Sequence, residues 1–206
     1  GNDPGSRVTS FETRQNLLYN GKVRARDGKF SFTFIVPKDI NYQSGPGKLS
    51  YYADDGSREG AGGDGGVFIG GLGNGVTDDG AGPEIRAWLN DEKFVNGGLT
   101  NETPVLILSL ADSSGINTVG TGIGHNLTAV LDGNAARTFV LNDFYESELD
   151  NFRKGAVKYP FSKLADGRHT LKVKAWDVQN NSAEEYTEFI VASDAKLALT
   201  HVYNYP

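Results

Sequence analysis

The chain has 206 residues, enough for one large or two small domains, with 38% hydrophobic and 22% charged residues, the balance of a folded protein. Its formal net charge is −6 with a pI near 5.1, and its basic residues form nothing longer than the alternating Lys22, Arg24 and Arg26. That excludes nucleic acid as a partner, because phosphate binding needs a basic stripe. No cysteine is present, which excludes disulfides, zinc–thiolate sites and a thiol nucleophile. No apolar run approaches the ~18 residues of a membrane-spanning helix.

The opening Gly1, followed by polar residues, reads as a cut end, so further sequence is expected upstream. Residues 19–37, YNGKVRARDGKFSFTFIVP, predict a β-hairpin. Asp27-Gly28 is the pair a two-residue type I′ turn demands, because both central positions need positive φ. Pairing about it sets Ala25 opposite Phe30 and Val23 opposite Phe32, leaving an aromatic face and a wet face bearing Lys22, Arg24 and Arg26. KLSYYADD predicts a further strand. Residues 56–75 are about half glycine and predict no regular element except VFIGGL, since ordering glycine is entropically costly. A domain boundary is expected near residues 78–82.

Beyond it the alternation is cleaner. EIRAWLN, PVLILSLAD, HNLTAVLDG, RTFVLND, GAVKYPFS, RHTLKVKAWDV and EEYTEFIVA predict about seven strands, an all-β, Ig-like β-sandwich. Leu171, Val173 and Ala175 share one face of their strand, opposite Lys172, Lys174 and Trp176. PVLILSLAD is apolar on both faces and predicts a central, doubly covered strand. FYESELDNFRKG is the only candidate helical turn, with Glu146, Glu148 and Asp150 read as solvated. The first part offers too few strands to bury a core alone. It either packs on the second domain or is completed by missing upstream strands, and the second alternative is favoured.

Four stretches carry a family resemblance: LADGRHTLKVKAWDVQNNS, GKFSFTFIVPKDINYQSGPGKLSYYA, FVLNDFYESELDNFRKGAVKYPFSKLADGRHTLKVKAWDVQNNS, and the long run from GPEIRAWLNDEKFVNGGLT to GIGHNLTAVLDGN. Over residues 8–206 the chain resembles the region that follows the catalytic domain in gingipain-family cysteine peptidases acting as sortases of the type IX secretion system. The final LALTHVYNYP is similar to a linker entering a type IX sorting domain. The resemblance implies a small β-domain over residues 1–81, N-terminally truncated, a sandwich over 82–195, and a linker over 196–206. It implies a parent cysteine endopeptidase, secreted or attached to the surface or outer membrane of a Gram-negative bacterium. Its catalytic Cys and His would lie upstream and match no position here, so this chain is expected not to be an enzyme. The implied partners are the peptidase and sorting domains of the same chain, and other secretion components.

Three groups of residues invite a site. GTGIGHN superficially resembles a phosphate loop, but a strand rather than a helix follows, so Gly120, Gly122 and Gly124, with Gly115 before them, read as backbone positions of a long connection. His125, His169 and His201 sit on separate segments without ligand spacing, and Ser113 and Ser114 lack a nucleophile elbow. His125 is expected to hydrogen-bond loop carbonyls or to dock its loop on a neighbouring strand. Asp54, Asp55, Glu59 and Asp64, in a glycine-rich loop, are the candidate ligands of a structural calcium, which takes six to eight hard oxygens. Asp78-Asp79 is read as boundary punctuation. Trp88 and Trp176, with Tyr51, Tyr52 and Tyr145, are candidates for a glycan-stacking platform, which gives the alternative reading of a carbohydrate- or adhesin-type module. A hydrolase using Glu146 and Asp150 has no argued geometry. The sequons at Asn101 and Asn126 read as coincidental.

Overall fold

A computed structural model describes residues 17–38, 40, 44–71, 73, 77–119 and 124–193. In chain order its strands are β1 (Gly45–Pro46), β2 (Leu49–Asp54), β3 (Glu59–Asp64), β4 (Phe68–Ile69), β5 (Glu84–Leu89), β6 (Leu99–Thr100) and β7 (Val105–Ala111). There follow β8 (Thr128–Leu131), β9 (Thr138–Val140), β10 (Tyr145–Glu148), β11 (Asn151–Pro160), β12 (Gly167–Trp176) and β13 (Ser182–Val191).

Period-two alternation gives each long strand one apolar face, and burying those faces against one another makes two sheets. One is four-stranded in the order β10-β11-β7-β5, the other five-stranded in the order β6-β13-β12-β8-β9. Leu106, Leu108 and Leu110 of β7 and Leu171, Val173 and Ala175 of β12 lie in one core cluster, each at most 1% exposed. Each large aliphatic side chain so buried contributes about 1.5–3 kcal/mol relative to exposure. The chain is therefore all-β, and the sandwich expected from residue 82 onward is present. As predicted, β7 is central, but only one face is fully covered: Ser109 is exposed and Val105, Ile107 and Ala111 are half-buried.

Two local expectations are corrected. The glycine-rich segment does form a strand, since β3 pairs antiparallel with β2 from Asp54↔Glu59 to Leu49↔Asp64. Backbone pairing is indifferent to side chains, and an exposed two-stranded ribbon leaves nothing for them to pack against. FYESELDNFRKG is not helical beyond a single 3₁₀ turn over Asn142–Phe144; β10 follows it, with Tyr145 and Ser147 facing inward. The helical reading missed the two-residue alternation in YESE. The first part touches the second at two backbone bonds. Lys38 N donates to Val178 O at 2.9 Å, and Asp150 N donates to Lys22 O at 2.9 Å.

The N-terminal arm turns as predicted. Arg26 and Lys29 exchange both backbone hydrogen bonds, 2.8 and 2.9 Å, about Asp27 and Gly28 at φ 51° and 73°. Its limbs stay extended without a ladder, so the predicted pairing of Val23 with Phe32 is not made. The predicted linker 196–206, His201, Gly120 and Gly122 lie outside the described residues.

Two glycines separate a packing role from a permissive one. A Cβ on Gly82 would run into the Ser182 backbone, whereas one on Gly60 of β3 meets nothing within 4 Å. Gly82→Ala is expected to destabilise by about 1–3 kcal/mol, as overpacking does. Gly60→Ala should be neutral or stabilising by about 0.4–1 kcal/mol through the unfolded chain. Urea denaturation of the two variants checks both signs.

Candidate functional site

The densest polar arrangement is the corner where four segments meet: the arm, the boundary loop, the loop after β7, and the β12–β13 turn. Asp177 leaves β12 buried, and its carboxylate accepts from Gln179 N at 2.9 Å, Asn181 N at 2.6 Å and Asn181 Nδ2 at 2.9 Å. This closes a tight turn on a side-chain acceptor, the usual work of Asp at such positions. Burial is the largest influence on Asp177 and raises its pKa, while the Asn181 and Gln179 hydrogen bonds oppose that rise.

The loop after β7 is built the same way. Asp112 Oδ1 accepts from Ser114 N, Ser114 Oγ and Gly115 N at 2.7, 2.7 and 3.1 Å. Gly115, at φ 106°, lies under the Phe152 ring, 3.1 Å from where a Cβ would stand. Ile116 bridges to Asp177, and Val178 N donates to Gly115 O at 3.1 Å. The glycine-rich run is thus a connection, pinned at its start to the β12 end.

Asp78 and Asp79, expected to punctuate a boundary, instead fasten it. Asn181 Nδ2 donates to Asp78 Oδ1 at 2.8 Å, Lys38 Nζ to Asp78 Oδ2 at 3.0 Å, and Ser113 Oγ to Asp79 Oδ2 at 2.6 Å. Asn181, Gly80 N and Lys38 hold the Asp78 carboxyl down to about 2. The cavity at this joint, bounded by Tyr19, Phe34, Pro37, Tyr145 and Val178, has a volume of about 10 Å³, room for a water and not for a substrate. Tyr145 Oη is buried with no hydrogen-bond partner, and burial pushes its phenol well up.

The sequence-based candidates disperse. Asp54, Asp55 and Glu59 stand at the closed end of the β2–β3 ribbon, and Asp64 at its other end opposite Leu49. Five residue steps of strand carry Glu59 to Asp64, about 17 Å at 3.3 Å per residue, so the four do not converge. Asp54, Asp55 and Asp64 each accept from backbone N–H groups two or three residues ahead. Among the described residues no group of three or more His, Cys, Asp or Glu is disposed to hold a metal ion.

Trp88 lies on β5 and Trp176 on β12, in different sheets, so they form no shared platform. Trp88 is half-buried opposite Ile107. The Trp176 ring lies 4.1 Å from the His125 ring, and Lys174 Nζ stands 4.6 Å over it. His125 therefore docks its loop on β12, one of the two roles expected of it. Glu146 and Asp150, read as solvated, grip the arm: Lys22 Nζ reaches Glu146 at 2.6 Å, and Arg24 N donates to Asp150 Oδ1 at 2.8 Å.

One pairing escaped the sequence. Buried His169 places Nδ1 2.9 Å from Asp132 Oδ2 and Nε2 2.8 Å from Ala165 O, with Arg137 on the same carboxylate at 2.8 Å. The residues are 37 apart and meet only through the β8–β12 register. Among the described residues no serine is hydrogen-bonded to this histidine; Ser113 and Ser114 bond carboxylates instead.

Fold and corner together define a structural class: a two-sheet β-sandwich with a side-docked hairpin arm, its acids and glycines used in turns and latches. No protein-family model matches the chain, and no curated protein does. Among solved structures it is similar to PorU from Porphyromonas gingivalis, crystallised as a latent dimer, with 36% identity over 81% of this chain and a TM-score of 0.56. The chain is PorU-related in both sequence and fold. It spans 16% of the PorU chain.

The depressed Asp78 value fixes a pH dependence. Its contribution to the latch is complete above the unfolded carboxylate value near 3.9 and is lost as pH falls through about 2. Lowering pH from 5 to 2 should shift the amide resonances of Lys38 and Asn181 along one titration. Asp78→Asn should remove that titration from both.

Proposed function

We propose that the chain is a non-catalytic β-region of a gingipain-like surface peptidase of the type IX secretion family. It supports the peptidase domain and spaces that domain from a sorting domain. The observation that carries this reading is that chain entry and exit are both fastened to the sandwich. At entry, Lys22, Arg24 and Lys38 are held by Glu146, Asp150, Asp78 and Val178 O. At exit, Ser193 donates from both N and Oγ to Asp166, at 2.8 and 2.7 Å, and Ala192 N donates to Thr100 O at 3.0 Å.

Neighbouring domains joined at two such points are presented in fixed geometry, where an interdomain linker would leave relative motion as the default. The absence of cysteine supports assigning thiol chemistry to another part of the parent. Secretion and a cell-surface location follow from the same reading, as does contact with other translocation components.

The purified chain is expected to hydrolyse no Arg- or Lys-containing peptide. In the parent peptidase, Asp150→Ala combined with Asp166→Ala should leave turnover of a short peptide unchanged. Processing of protein cargo should fall several-fold. Unchanged cargo processing would overturn the rigid-display role, and peptide hydrolysis by the chain alone would overturn its non-catalytic assignment.

A further inference from the structure

The arm is incomplete in three respects that the sandwich does not remedy. First, the backbone of residues 30–36 makes no hydrogen bond to any described residue beyond the turn at Arg26 and Lys29. Extended N–H and C=O groups of this kind template an added strand. Second, Phe30, Phe32 and Phe34 stack in a row at 6.4 and 6.2 Å, with Tyr19 on Phe34 at 4.7 Å. Phe30 remains 45% and Phe32 36% exposed.

Third, Arg26 and Lys29 are directly opposed across the turn, a like-charge pairing that disfavours the hairpin. They line an open cleft of about 530 Å³ with Arg24, Phe30 and Ser31. Asp150 neutralises Arg24 at 3.4 Å, while Arg26 and Lys29 have no ion-pair partner among the described residues.

We infer that the arm binds an extended polypeptide segment that alternates acidic and apolar residues, and takes it up by strand addition. Successive side chains of an added strand point to opposite faces. On one face they meet the phenylalanine row, and on the other Arg26 and Lys29. Backbone pairing supplies affinity and the alternate side chains supply specificity, the usual division in β-augmentation. A small anion would satisfy the cations alone, and a sugar the rings alone. Only an acidic, alternating strand answers all three features. The inference stands on the arm and does not depend on the parent's peptidase activity.

The test uses an acetylated, fluorescein-labelled eight-residue peptide alternating Glu with Val, beside an isomer with its four Glu contiguous. Anisotropy should show the alternating peptide binding at least about tenfold more tightly, a difference of roughly 1.4 kcal/mol. Raising ionic strength should weaken it. Arg26→Glu with Lys29→Glu, both on the exposed turn, should abolish binding while leaving the sandwich melting temperature unchanged.

Equal affinity for the two isomers would reduce the site to a generic cation patch and overturn the inference. So would failure of the alternating peptide to bind at millimolar concentration, or binding that survives the double charge reversal. Sedimentation gives the other decisive outcome. Dimerisation abolished by the same variant would make a second copy the occupant, and the inference would fall.

Discussion

Asp177 is the constraint on which the corner of this molecule depends. Its carboxylate is buried at the end of β12 and satisfied by three N–H donors. Those donors fix the turn, and the turn fixes Val178 and Asn181. Val178 then serves two segments, accepting from Lys38 N and donating to Gly115 O, while Asn181 reaches Asp78. A single buried acid therefore sets the position of the arm, the boundary loop and the start of the glycine-rich connection. Burial opposes its ionisation, so the arrangement persists only because nearly every oxygen lone pair is occupied.

The two acids that grip Asn181 respond to pH with opposite sign. Asp78 is exposed and held down by donors, so its ionised form favours the docked state. Asp177 is raised by burial, so its ionised form carries a cost in the fold that protonation relieves. Acidification therefore protonates Asp177 first and reaches the outer latch at Asp78 only near pH 2. The arm's other attachments are few and mostly at the surface, where ion pairs are individually weak.

Sequence pattern revealed the sandwich because its strands are long and their burial strictly alternates, as in Leu171, Val173 and Ala175 against Lys172, Lys174 and Trp176. It revealed the arm's turn because Asp27-Gly28 has few other uses. It failed where pairing rather than side-chain pattern decides: β3 is a strand by its register with β2 alone. It failed again where function is long-range. Asp78, Asp150 and Asp132 look like ordinary loop acids until the fold brings them to Asn181, Arg24 and His169. The four acids of the candidate calcium loop are separated for a related reason. Clustering in sequence put Asp64 near Asp54, and strand geometry then carried it to the far end of the ribbon.

The contrast between sandwich and arm is itself informative. The sandwich pairs its backbone in two ladders and buries the inward apolar face of its long strands. The arm holds a row of phenylalanines, an unpaired extended backbone and opposed cations on one short hairpin, and it gains on all three counts from a strand laid beside it. Sandwich and arm therefore divide the labour. Geometry is set by the corner at Asp177 and recognition by the arm, and the two meet at Asp150, which binds Arg24 through both its backbone and its guanidinium. Any load on the arm is thereby transmitted to β10 and β11, whose turn carries Asp150.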